Sequence, residues 1–212
     1  MGIHKEGVTL ITVFLAITVA CFVLSQWWEV FGYISIIFII VSLLLVNFFR
    51  DPARRTQQNE QLVYSPADGE VIEISRVRED KFLKDEATVV KIFMTPLDVH
   101  IQRSPIKGLI SFQEYKAGKF LPAKLDKAST DNEQNLIGLE GGIKVLVKQI
   151  AGLLARRIVW WVHLQQGVSQ GERIGMIKFG SQVDIYVPLN VEIKVKLKDK
   201  VKAGLTIIGE IK

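Results

Sequence analysis

The chain has 212 residues, 49% of them hydrophobic and 23% charged. Of 27 Lys and Arg only Lys5 precedes residue 50, and of 22 Asp and Glu only Glu6 and Glu29 do, so residues 50–212 hold 26 basic against 20 acidic residues, a net of +6. The uncharged stretches between Glu6 and Glu29, and between Glu29 and Arg50, exclude an ordinary soluble start and also a disordered one, which would be polar and charged.

Val8 to Ser25 and Val30 to Phe49 are the two apolar runs, joined by Gln26-Trp27-Trp28-Glu29. As helices at ~1.5 Å per residue they would be roughly 27 and 30 Å long, close to the ~30 Å hydrocarbon core of a bilayer. The short link makes them antiparallel neighbours, and its tryptophans suit a headgroup belt. Lys5 lies before the first run, and Arg50, Arg54 and Arg55 follow the second. The positive-inside rule then places both ends, and everything after Arg50, on the cytoplasmic face of the cell membrane. A signal peptide is disfavoured by the second apolar run and by the lack of a small-residue cleavage site between the two. A soluble core hairpin would show a polar face, and neither run has one. Residues 1–50 therefore read as a transmembrane α-hairpin anchor, with a monotopic, non-spanning hairpin as the alternative, and 51–212 as a separate domain.

From Asp51 onward, short runs rich in Val, Ile and Phe alternate with Gly, Pro and Asp. Glu70 to Ile74, Ala87 to Met94, Leu109 to Phe112, Gly142 to Val147, Val183 to Val187 and Val191 to Leu197 read as strands, while Gln149 to Val162 is ambiguous and favours strand after Arg157. Arg76 to Lys84 reads as an exposed hairpin or loop, and Lys194 to Lys202, with Lys alternating against apolar residues, as a half-exposed strand. The domain is expected to be mostly β, around one core. Glycines beside several strands resemble the turns of lipoyl- and biotinyl-type β-sandwich modules. Cys21 is the single cysteine, and no Cys/His cluster offers a metal site. No phosphate loop, dinucleotide fingerprint or RNP-type motif points to a nucleotide or nucleic-acid partner. The net positive charge suits an anionic membrane surface and a plain solvated surface equally well.

Few residues carry chemistry. His4 reads as a solvated residue before the first helix, and His163 follows Trp160-Trp161. His100 lies in Pro96-Leu97-Asp98-Val99-His100, after an apolar strand. Asp68, in Ser65-Pro66-Ala67-Asp68-Gly69, reads on its own as a turn residue. Gly180-Ser181 reads either as a turn between two strands or as a strained bond whose accessible glycine carbonyl the following hydroxyl can reach.

Taken in order these pieces resemble the proenzyme of the short, archaeal-type phosphatidylserine decarboxylases. The resemblance runs through the apolar start, Phe48-Phe49-Arg50-Asp51-Pro52, Ser65 to Gly69, Pro96 to His100, Gly118 to Ala123, Asp126 to Ser129, Asn132 to Asn135, Gln149 to Gly152, Ala155 to Ile158 and Gly171 to Ile177. It implies a lipoyl-like barrel-sandwich that cuts itself between Gly180 and Ser181, giving a β chain, 1–180, and an α chain, 181–212, that stay together as a heterodimer. Ser181 would become a covalent pyruvoyl group, the only cofactor, with no metal and no pyridoxal phosphate. A Schiff base between that group and phosphatidylserine would release CO2 and leave phosphatidylethanolamine. In this reading His100 is the base that activates Ser181 and later returns a proton, with Asp68 fixing its tautomer. The slightly basic segment Lys116 to Asn135 reads as a solvated loop, as a border on the bilayer or as a binder of the lipid phosphodiester, with Lys119 the candidate for the last. Gln182 departs from the Arg expected after the cleaved serine. A non-enzymatic lipoyl-like module and a serine hydrolase using Ser181 are the alternatives. The first leaves the ordered motifs unexplained, and the second lacks a nucleophile elbow. Oligomeric state is left open.

Overall fold

A computed structural model describes residues 2–119, 131–152, 157–178 and 181–212. The chain divides into two compact units, Met1–Ala53 and Arg54–Lys212.

The first unit is a helical hairpin. A two-residue strand β1 (Gly2–Ile3) precedes α1 (Lys5–Leu24); α2 (Glu29–Phe48) follows, and then β2 (Arg50–Asp51), which pairs with β1. Both helices are long and apolar enough to cross a membrane. Small and polar residues lie buried in both, Thr18 and Cys21 in α1 and Ser35 and Ser42 in α2. Such side chains let helices approach closely where no polar face exists. Thr18 and Ser35 return their hydroxyls to their own helix, donating to the Phe14 and Gly32 carbonyls. His4 is not the solvated residue expected: it is half-buried and caps α1, its Nδ1 accepting from the Glu6 N–H while its own N–H donates to the Phe49 carbonyl.

The second unit is almost all strand, in chain order β3 (Leu62–Tyr64), β4 (Gly69–Glu79), β5 (Asp85–Met94), β6 (Ile101–Arg103), β7 (Gly108–Lys116), β8 (Gln134–Glu140), β9 (Lys144–Ala151), β10 (Arg157–Trp160), β11 (Gly167–Val168), β12 (Arg173–Lys178), β13 (Ser181–Pro188), β14 (Val191–Ile193), β15 (Lys200–Val201) and β16 (Ile207–Ile211). The large sheet has the order β11-β7-β8-β9-β13-β5-β4-β15 and is antiparallel throughout. Two three-stranded sheets, β10-β12-β6 and β14-β16-β3, complete the unit. This is the mostly β, barrel-sandwich architecture expected, preceded by an apolar helical hairpin.

Strand period decides which residues meet. Val183, Ile185 and Val187 of β13 share one face with Val90 and Ile92 of β5 and Val145 and Val147 of β9, and all are buried in one core with Val71, Ile110, Ile137 and Leu139. Alternate side chains fall on the other face of the sheet.

One expected strand is mostly absent. β14 stops at Ile193, and the lysine-rich run after it turns instead of extending. The Asp199 carboxylate accepts from the Lys196 N–H, and Lys198 takes φ 71, so a local turn outcompetes the ladder that alternation alone suggested. Arg76 to Lys84 is a hairpin, though its first four residues belong to β4.

Candidate functional site

The registers bring three sequence-separated pieces to one end of the large sheet. Ser181 opens β13, opposite Met94, the last residue of β5, and Ala151, the last of β9. Glu70, near the start of β4, lies opposite Phe93, so Asp68 and Gly69 enter at this same end. Gly69 is required there. Its φ is +153, and a Cβ would stand 2.3 Å from the Phe93 carbonyl oxygen, a distance no side chain tolerates. His100 follows the turn that leaves β5, and its carbonyl accepts from the Ile177 N–H at 3.3 Å, which ties it to the end of β12 just before Ser181. Gly180, the other half of the expected scissile bond, lies outside the described residues, as do residues 120–130 and 153–156.

Ser181 is fully buried, on the core face, and its Oγ donates to the Met94 Sδ at 3.4 Å. His100 is also fully buried. Its Nδ1 lies 2.9 Å from the Asp98 carbonyl oxygen. A carbonyl can only accept, so Nδ1 carries a hydrogen, and in the ring's neutral form the lone pair lies at Nε2.

Asp68 is bonded elsewhere. Its carboxylate is gripped bidentately by Arg54, Nη1 to Oδ1 at 2.6 Å and Nη2 to Oδ2 at 2.7 Å, and Oδ1 also accepts from the Ala203 N–H at 2.8 Å. Arg54 Nη1 donates further to the Ala203 carbonyl at 2.7 Å. Both side chains are nearly buried. Among the described residues no hydrogen bond joins Asp68 to His100; the Asp98 carbonyl, not the Asp68 carboxylate, lies on the imidazole Nδ1. The sequence could not separate the two because a backbone carbonyl has no signature in residue identity.

A chain of buried amides, unassigned by sequence reasoning, runs to the same place. Asn135 Nδ2 donates to Gln149 Oε1 at 2.8 Å, Gln149 Nε2 to Gln102 Oε1 at 2.9 Å, and Gln102 Nε2 to the His100 carbonyl at 2.9 Å and the Met94 Sδ at 3.7 Å. All three amides are fully buried. Asn132 adds a bond from its Nδ2 to the Ala151 carbonyl at 2.7 Å. The available signal was position: Asn135 and Gln149 sit in strands at the phase of core residues, where an apolar side chain would be ordinary.

The opposite face behind Ser181 is charged. Gln182 Nε2 donates to Asp184 Oδ1 at 2.6 Å. Asp184 is completely buried, and burial pushes its carboxyl up to about 6, against the lowering effect of Gln182, Lys148 and Lys91. Lys148 is pulled down by its own burial, which the nearby Asp184 partly offsets. Lys119 is exposed, its backbone bridges Asn132, its carbonyl accepts from the Glu133 N–H, and its Nζ lies 3.5 Å from Asp131.

The family model for phosphatidylserine decarboxylase matches residues 41–209. The chain is similar to the phosphatidylserine decarboxylase proenzyme of Syntrophus aciditrophicus, 40% identical over 210 residues that cover 98% of this chain and 96% of that one. The proenzyme of Geotalea uraniireducens is 41% identical over 209 residues, 98% of this chain and 95% of its own. That of Amoebophilus asiaticus is 43% identical over 174 residues, 81% and 77%.

Proposed function

The chain belongs to the phosphatidylserine decarboxylase family, and we propose that it converts phosphatidylserine to phosphatidylethanolamine and CO2 after cutting itself between Gly180 and Ser181. The observation that supports this reading is the burial of both residues at one end of the unit: Ser181 opens β13 opposite Met94, and His100 is bonded through its carbonyl to Ile177, four positions before Ser181, with its Nδ1 on the Asp98 carbonyl.

In the first stage Ser181 Oγ attacks the Gly180 carbonyl, the C–N bond breaks, and the acyl group moves to oxygen as an ester. His100 takes the hydroxyl proton, a serine being too weak a nucleophile unaided. Loss of the Ser181 Cα proton expels the Gly180 carboxylate and leaves dehydroalanine, whose tautomer takes up water and releases ammonia. The products are a β chain, 1–180, an α chain, 181–212, and a ketone at the head of the α chain.

The surroundings suit so small a group: Met94 offers a soft thioether in place of a competing base, and the amides beyond it are already paired to one another. The pyruvoyl group supplies a covalent seat for the headgroup amine and an electron sink for the pair left as CO2 departs. His100, tautomer fixed by Asp98, is the group we assign to return the proton to the substrate carbon. Asp68 acts through Arg54 and the Ala203 backbone, holding the start of β4 against the chain before the β16 sheet, rather than on the imidazole itself. Lys119 is retained as a candidate contact for the lipid phosphate. Residues 1–50 anchor the enzyme in the cell membrane as a spanning hairpin, with residues 51–212 on the cytoplasmic face and the two cleaved chains together as a heterodimer.

Intact mass of the purified protein tests this. The expected result is two chains, with the 181–212 fragment blocked at its N-terminus by a carbonyl that borohydride reduces. Ser181→Ala should give one uncut, inactive chain. An active preparation consisting of one unmodified chain would refute the proposal.

A further inference from the structure

The lysine-rich run that turns instead of extending forms the outer edge of the large sheet beside the candidate site. Lys200 and Val201 pair with Glu70 and Gly69, the Lys198 N–H donates to the Val71 carbonyl, and the Ala203 N–H reaches Asp68 itself. Between residues 194 and 202 stand five lysines and one acid, Asp199. Lys194 is paired with Glu192 and Glu210, and Lys200 with Glu70. Lys196, Lys198 and Lys202 enter no ion pair among the described residues, and all three are exposed.

Apolar side chains interleave with them. Leu197 at the tip is 57% exposed and Leu205 44%, and Leu97, in the turn that leads to His100, is 64% exposed. Lys198 moreover occupies the left-handed region at φ 71, which glycine takes without strain.

We infer that this edge, Lys196 to Leu205 with Leu97, is the surface on which the β unit lies against an anionic bilayer, leucines in the headgroup layer and lysines on lipid phosphates. That orientation presents the Ser181 end of the sheet to lipid headgroups. Clusters of lysine with apolar residues are attracted to anionic leaflets, and each contributes at close range. Lysines also guard sheet edges against pairing with other strands. A guard needs only charge, whereas a contact with an anionic bilayer needs positive charge, and the charge-reversal variants below separate the two.

The inference rests on the reading of a lipid substrate, so its test is read from lipid contact and not from turnover. The full chain, with Cys21→Ser and a fluorophore on Leu197→Cys, is reconstituted in vesicles of phosphatidylcholine alone or with one-third phosphatidylglycerol, which is anionic and carries no serine. Quenching by lipids brominated near the headgroup is measured, with a label on Asp85→Cys, at the opposite end of the sheet, as control. The Leu197 label should be quenched in the anionic vesicles and the Asp85 label spared. Lys196→Glu with Lys198→Glu should shift the contact equilibrium at least about 25-fold, taking roughly five-fold per lysine. The milder Lys196→Gln with Lys198→Gln gives the same direction if the reversal perturbs folding. Equal quenching at both labels, or quenching indifferent to lipid charge, would overturn the inference. Failure to decarboxylate would overturn the proposed function and leave this result standing.

Discussion

Replacing Arg54 by Met would separate the two accounts of Asp68. Arg54 makes two short bonds to the Asp68 carboxylate and a third to the Ala203 carbonyl, and the two side chains are only 6% and 10% exposed. Removing the guanidinium leaves a buried carboxylate with the Ala203 N–H alone. Stranding one partner of a buried ion pair costs about 3–5 kcal/mol. For a unit of this size that is roughly 6–20 °C in Tm, at ~2–4 °C per kcal/mol. The assay is pulse proteolysis of the β unit across urea, in detergent, in a Ser181→Ala background so that every sample is one chain. The double variant Arg54→Met with Asp68→Leu should recover most of the loss, because apolar replacement of a whole buried pair is often neutral. A loss below about 1 kcal/mol for Arg54→Met would refute the reasoning, since Asp68 would then have a second partner to turn to, His100 foremost.

His100→Gln should stop self-cleavage, read by the uncut fraction on a denaturing gel, while changing the unfolding free energy by no more than about 1.5 kcal/mol. Gln102→Leu breaks the amide chain at its centre, leaving Gln149 Nε2 and the His100 carbonyl each short of a partner. It should cost about 1–3 kcal/mol per stranded group and slow cleavage, measured by a time course after synthesis. For Asp184 the sign runs against the usual carboxylate. Its folded value of about 6 lies above the unfolded 3.8, so the native state holds the extra proton between them and stability falls as pH rises through that window. The fall approaches 3 kcal/mol as an order of magnitude, and Asp184→Asn should flatten that part of a urea-midpoint profile.

Period and hydropathy exposed most of the architecture before any coordinates. The two apolar runs are helices, and Ala87 to Met94 and Val183 to Val187 lie inside real strands, because a buried β-branched stretch has few other options. The Lys194 to Lys202 run misled because alternation describes side chains, while its turn is fixed by an Asp199 carboxylate and one left-handed residue. At the site, only the order of motifs singled out Ser181 and His100; the β13 register sets Ser181 opposite Met94, and a backbone bond ties His100 to Ile177. The partners were illegible for two reasons. Arg54 is 14 positions from Asp68 and reads as a flanking charge of the membrane segment. The Asp98 contact is made by backbone, which every residue shares.

Ser181 begins a strand clasped on both sides, β9 along one flank and β5 along the other. Downstream of it, β15 clips to β4, and β14 and β16 weave into another sheet with β3. A nick before Ser181 would therefore free a new end without freeing a piece. Residues 181–212 are stitched through two sheets, and withdrawing them would unravel the core. The smaller fragment should co-migrate with the larger on any native column, part from it only in denaturant, and return slowly if at all, since a strand must be rethreaded into the middle of a finished sheet.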